Sequence, residues 1–213
     1  MTTLAGIDIK EEVAAGAAEV VALRRYFHQH PEPSLKEFET IKRIKEELAK
    51  LEIPYEAVGE TGVIGTIEGQ RGPGKTILLR ADIDALELED AKEVEYKSKY
   101  SGLHHACGHD GHTATLLVLA KVMQQFQDEL SGTIVFVHQH AEEIPPGGAK
   151  DIVQSGKLDH VDAVFGNHLW TLTPFGHVET RKGAFMAGTD RFEITIKGKG
   201  GHGAYPHVTK DAI

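Results

Sequence analysis

The chain has 213 residues, 40% apolar and 26% charged, with 23 glycines, one cysteine and a net charge of −9. That length and balance describe an ordinary globular chain with enough material for one large domain or one domain and a fragment. An acidic chain lacks the clustered Lys and Arg that phosphate backbones require, so nucleic acid is excluded as a partner. No apolar run approaches the length of a membrane span, and Met1 to Glu12 lacks the basic and apolar regions of a secretory signal. A single cysteine, Cys107, forms no internal disulfide, which fits a reducing cytoplasm, the expected location.

Glu11 to Gln29 reads as helical up to His30-Pro31. Pro33 to Lys50 reads as a second helix, with Ile41, Ile44, Leu48 and Leu51 on one face. After Ile53-Pro54, Gly62 to Glu68 and Thr76 to Leu79 predict two strands around a Gly-rich loop. A helix over Thr113 to Leu130 follows, then a strand at Thr133 to Val137, a short helix opened by Pro145-Pro146-Gly147-Gly148, and a strand at Val161 to Phe165. From about Ala187 the texture changes. Phe192, Ile194 and Ile196 alternate with Glu193, Thr195 and Lys197, predicting a strand with one wet face.

Two patterns imitate nucleotide sites. Gly69 to Thr76 matches G-x-x-x-x-G-K-[ST], but strand rather than helix follows and Pro73 removes an amide donor. Gly198 to Gly203 matches G-x-G-x-x-G, and Pro206 argues against a helix directly after it. Both read as Gly-rich turns.

The stretch His104-His105-Ala106-Cys107-Gly108-His109-Asp110-Gly111-His112 carries the chemistry. Thiolate and neutral imidazole are favoured ligands of zinc and its neighbours, and a carboxylate beside a ligating His fixes its tautomer. Cys107 and His109 are two apart, so in extended chain both would face one ion. A structural site wants four such ligands and usually several cysteines. One cysteine with His and carboxylates at several strand ends reads as an open catalytic site. Asp82 and Asp84, Glu142 and Glu143, and His168 each lie just past a predicted strand, where open α/β sheets place their sites. Each has a plainer reading. The glutamates also suit a solvated surface pair, His168 a structural histidine, Asp82 and Asp84 turn residues, and His202 and His207 surface groups in a turn. His28 and His30 suit cap or core polar positions.

In order, Arg80-Ala81-Asp82-Ile83-Asp84-Ala85-Leu86, His105 to His112, Ala141-Glu142-Glu143, Asn167-His168-Leu169-Trp170 and Gly198 to His207 resemble the M20 metallopeptidase family. The match is to its amidohydrolase branch of hippurate hydrolases, N-acyl-amino-acid amidohydrolases and auxin-conjugate hydrolases. The resemblance implies an α/β fold: a mixed-sheet, three-layer, metallo-aminopeptidase-like catalytic domain followed by the start of an α+β lid or dimerisation domain. It places the N-terminal part of the catalytic domain at 1–187 and the first strand and turn of the lid at 188–213. It implies that Cys107, His109, Glu143 and His168 ligate two divalent metals, zinc or manganese, with cobalt or nickel as alternatives, and that the cysteine bridges. Glu142 matches the general base, Asp84 an aspartate behind the ligands, and His202 a lid histidine that polarises the scissile carbonyl in a neighbouring site.

The implied reaction is hydrolysis of N-acyl amino acids or related small amides, with a homodimeric or homotetrameric parent assembled through the lid. His104 stands where Met is usual, His140 where Pro is usual and Glu87 where Pro is usual. Family members continue through the lid and return with one more histidine ligand, so the expectation is an N-terminal piece of a longer enzyme. The rival reading is a non-catalytic or inactive fragment that holds metal or a small amide on the same scaffold. A zinc nucleobase deaminase lacks the needed cysteines, and the zincin H-E-x-x-H is absent.

Overall fold

The N-terminal helical stretch is broken once, at Gly16, where a Cβ would come within 2.6 Å of Val118 Cγ1. It therefore forms two helices, α1 (Ile9–Ala15) and α2 (Ala17–Gln29), the second lying close against the helix that carries Val118. The computed structural model describes residues 3–4, 7–188, 190 and 192–212. Thr3–Leu4 (β1) and Ile7–Asp8 (β2) pair antiparallel ahead of α1. Helix α3 (Phe38–Lys50) buries Ile41, Ile44 and Leu48, the face read from the spacing.

Five strands then build one sheet: β3 (Tyr55–Val58), β4 (Gly62–Glu68), β5 (Thr76–Asp82), β6 (Thr133–Gln139) and β7 (Ala163–Gly166). Their spatial order is β3-β4-β6-β5-β7. β4 pairs antiparallel with both β3 and β6, whereas β5 runs parallel to β6 and β7. The sheet is mixed, as the α/β expectation requires. Helix α4 (His109–Gln125) connects β5 to β6, and α5 (Gly148–Gln154) connects β6 to β7.

Strand alternation sorts the core into two layers of side chains. Val63, Ile67, Ala81 and Phe136 face α2, α3 and α4 through Phe27, Ile44, Leu48 and Leu117. Ile64, Leu78, Val135 and Val137 face the other way, onto Ile152 of α5 with Leu158 and Val161 beside it. The sheet is thus covered on both faces, and its parallel strand ends are where the polar site residues collect.

Met1–Trp170 forms one compact unit and Thr171–Ile213 a second. The second unit is held by the paired backbones of Lys199 and Lys210, at 2.8 and 3.0 Å, and by a 3-10 turn at Pro206–Val208. Phe192 to Lys197 forms no strand among the described residues, contrary to its alternation, and Phe192, Ile194 and Ile196 are exposed. Alternation specifies a face, but a ladder also needs a partner backbone, and none is paired there among the described residues. Thr189, Arg191 and Ile213, inside the span read as the opening of a lid, lie outside the described residues. Among those residues no helix is long and apolar enough to cross a membrane.

Candidate metal centre

The local chain at the centre is a turn rather than a strand. Gly108 takes φ +89°, the left-handed region that favours glycine, and caps α4. His109 is therefore the first residue of the helix, four positions earlier than the apolar run suggests. The extended spacing expected for Cys107 and His109 does not occur. The turn instead brings Cys107, His109 and His168 together. One ligand atom from each lies within 4.8 Å of the others, and His109, Glu142 and Glu143 form a second, overlapping group. Cys107 Sγ is 3.4 Å from His168 Nε2. His109 Nε2 is 3.7 Å from Glu143 Oε1 and 4.0 Å from Glu142 Oε2.

Each imidazole is aimed by what its other nitrogen does. His109 Nδ1–H donates to the Asp84 carbonyl at 2.9 Å and to Asp84 Oδ1 at 3.2 Å. Its buried Nε2 is left with no hydrogen-bond partner. His168 Nδ1–H donates to the Leu169 carbonyl at 2.6 Å, which turns Nε2 towards Cys107. His112 is different: it accepts the Leu169 N–H at Nε2 (2.8 Å) and donates from Nδ1 to Asp82 Oδ1 (2.6 Å). Both its nitrogens are in use, so it positions the His168–Leu169 segment and offers no free ligand atom. Asp82 is occupied as well, accepting from Arg80 at 2.7 Å.

Asp84 joins the two sides of the centre. Its Oδ2 accepts the Ser34 hydroxyl at 2.7 Å and the Glu143 backbone N–H at 3.0 Å. The glutamates stand on a turn at Ala141, whose φ is +46°, and its N–H is received by buried Glu37 at 2.8 Å. Glu143 is largely covered, while the Glu142 side chain is 40% exposed at the mouth. His202 lies in the second unit, where its Nδ1 accepts the Ala204 N–H at 3.2 Å.

The charges leave a cation wanting. Burial pushes the Cys107 thiol up to about 12, and the negative field of Glu143 adds to it. Burial also raises the Glu143 carboxyl, with Glu142 and Asp84 working in the same sense. For His109, burial alone would lower the pKa. The bond to Asp84 and the charges of Asp82, Asp84 and Glu143 outweigh it and raise the value. A half-buried thiol, a carboxylate oxygen and an imidazole nitrogen, the last two without hydrogen-bond partners, form a donor set suited to a divalent transition metal. A bound cation would deprotonate the thiol and neutralise the carboxylates.

Comparison with known proteins gives the family. Residues 78–212 match the profile of peptidase family M20/M25/M40. The chain belongs to that family. It is 50% identical over 207 residues to the protein YhaA of Bacillus subtilis (strain 168), covering 97% of this chain and 52% of YhaA. It is 45% identical over 207 residues to the N-acyl-L-amino acid amidohydrolase of Geobacillus stearothermophilus, covering 97% of this chain and 56% of that enzyme. Among solved structures it resembles the Bacillus subtilis YXEP protein, a dinuclear metal-binding peptidase of the M20 family. That match has a TM-score of 0.70 and 40% identity over 78% of this chain and 46% of YXEP. The chain thus spans about half the length of the M20 relatives it matches.

Sequence reasoning missed two supports of the site. Glu37 and Ser34 sit far upstream, where nothing in their spacing marks them. The Arg80-x-Asp82-x-Asp84 alternation was a usable signal, since a period of two puts all three on one side of a strand end.

Proposed function

We propose that the chain carries the metal-binding half of an M20 amidohydrolase that splits N-acyl amino acids or related small amides into a carboxylate and an amine. The two overlapping groups Cys107, His109, His168 and His109, Glu142, Glu143, gathered beyond the carboxyl ends of the parallel strands β5, β6 and β7, carry this reading. On it, Cys107, His109, Glu143 and His168 would hold a pair of divalent metals, and zinc or manganese suits the donor set. When bound, the metals supply Lewis acidity and neutralise developing negative charge.

The remaining work falls to the protein. Glu142 is exposed enough to meet a water at the mouth, close to His109. It takes the proton of the attacking water and delivers it to the nitrogen of the departing amine. Glu143 stays oriented because its backbone N–H is fixed to Asp84. Asp84 holds His109 in the tautomer that presents Nε2. Residues 188–213 open a lid domain on this reading, and His202 polarises the scissile carbonyl in a neighbouring active site, as an oxyanion requires. The parent assembles as a homodimer or homotetramer through that lid.

The test is amine release from a panel of N-acetyl and N-benzoyl amino acids by the full-length parent protein, with and without chelator. Chelator-sensitive release, reduced about 10²- to 10⁴-fold by Glu142→Gln with metal content retained, is the expected result. Metal binding with no turnover of any N-acyl amino acid would favour a binding protein on the same scaffold.

A further inference from the structure

We propose that His28, Asp90 and His104 form a second cation site, of a kind suited to zinc, separate from the centre built on Cys107 and independent of the function proposed above. All three side chains are buried, and one ligand atom from each lies within 4.8 Å of the others. His28 Nε2 is 3.3 Å from Asp90 Oδ2, and His104 Nε2 is 3.7 Å from Asp90 Oδ1. Ligand bonds of about 2.0–2.1 Å at tetrahedral angles place ligand atoms roughly 3.3–3.4 Å apart, so both His–Asp pairs already stand near that spacing.

The orientation of His28 is the second observation. Its Nδ1–H donates to Asp110 Oδ2 at 2.5 Å, and Asp110 is itself held by Arg24 at 3.0 Å. A carboxylate on Nδ1 fixes the tautomer that directs the Nε2 lone pair at an ion. That Nε2 is buried and has no hydrogen-bond partner, although Asp90 is close. An imidazole nitrogen set against a carboxylate oxygen at this distance calls for a positive charge between them, supplied by a proton on Nε2 or by a metal ion. Asp90 is anchored by backbone amides, Lys92 N–H to Oδ1 at 3.1 Å and Ser98 N–H to Oδ2 at 3.0 Å, which leave its other lone pairs free.

A positive group already visits the place. Lys92 Nζ lies 2.5 Å from His104 Nε2 and 3.7 Å from Asp90 Oδ1, on a side chain that is 44% exposed. Its ammonium can swing into solvent when a divalent ion arrives, so Lys92 and the metal compete for His104. Two imidazoles and a carboxylate favour zinc among the divalent ions, because magnesium and calcium prefer all-oxygen sites. Filled, the site would tie α2 to the segment running from Asp90 to His104, directly ahead of the Cys107 turn.

The experiment titrates the metal-free chain with Zn²⁺ alone by calorimetry, alongside long-range ¹H–¹⁵N spectra of the histidine rings. The expected result is one more Zn²⁺ bound by the wild type than by His104→Met, with the ring nitrogens of His28 and His104 shifting on binding. Lys92→Met, at a half-exposed position, should tighten that Zn²⁺ about tenfold by removing the competing charge. Equal stoichiometry in a His104→Met protein shown by circular dichroism to be folded would overturn the proposal. So would ring nitrogens of His28 and His104 that do not move. If His104→Met does not fold, the Lys92→Met titration decides, and unchanged Zn²⁺ affinities overturn the proposal.

Discussion

Asp84 grips His109 twice, from its backbone carbonyl at 2.9 Å and from its carboxylate at 3.2 Å, while its other carboxylate oxygen receives the Glu143 N–H at 3.0 Å. One side chain therefore sets the aim of an imidazole on α4 and of a glutamate after β6. Removing the side chain frees the Glu143 N–H and leaves His109 held by the Asp84 backbone carbonyl alone. Asp84→Ala should weaken metal binding by about 10- to 100-fold. Calorimetric titration with Mn²⁺ or Zn²⁺ checks this, and an unchanged affinity would show that His109 is held well enough by the helix and the backbone carbonyl of residue 84.

The Gly108 turn makes a separate claim. A non-glycine residue at φ +89° carries a left-handed penalty, so Gly108→Ala should cost about 1–2 kcal/mol of stability. It should also shift Cys107 relative to His109 and lower metal affinity, whereas Gly72→Ala, in an open loop with a similar φ of +92°, should cost stability alone. Urea unfolding and metal titration of the two variants together separate strain from loss of the site.

Buried Glu37 supports the glutamate turn by accepting the Ala141 N–H at 2.8 Å and the Thr61 hydroxyl at 2.5 Å. Glu37→Ala strands both donors, at about 1–3 kcal/mol for each. Glu37→Gln keeps an acceptor and should lose less. Thermal unfolding of the pair tests the ordering, and equal losses would contradict it.

Two histidines outside the centre set an acid limit. Burial pushes His105 down to about 4 and His138 down to about 3. The unfolded chain binds these protons from about pH 6.5 downwards, while the folded protein refuses them until the lower values. The unfolded state therefore holds more protons in that window, and stability falls as pH drops from about 6.5 towards 4. Each group contributes up to about 1.4 kcal/mol per pH unit. His138→Gln cannot titrate and can still bond to Thr113, so it should flatten this slope. Urea unfolding between pH 7 and 4 measures it.

The strands that fill the core were legible because Val63 to Ile67 and Ile134 to Val137 sort apolar side chains onto two faces, and burial follows that sorting. β3 was not, since Tyr55 to Ala57 are exposed on an edge strand and carry no apolar alternation. Phe192 to Lys197 shows the converse, a strand-like pattern with no strand formed. At the centre, residue types and strand-end positions marked the candidate ligands, but not which histidine is free. His112 sits in the same motif as His109, and only its bonds to Asp82 and Leu169 take it out of the ligand set. Glu37 and Ser34 act across long sequence separations that no local pattern encodes.

The most direct test is anomalous diffraction at the zinc edge from crystals of the chain grown with Zn²⁺. A peak within about 2.3 Å of Cys107 Sγ and about 2.0–2.1 Å of a His109 or His168 nitrogen is the predicted result. Zinc bound elsewhere with no peak beside Cys107, or a peak there that survives Cys107→Ser unchanged, would contradict the metal centre.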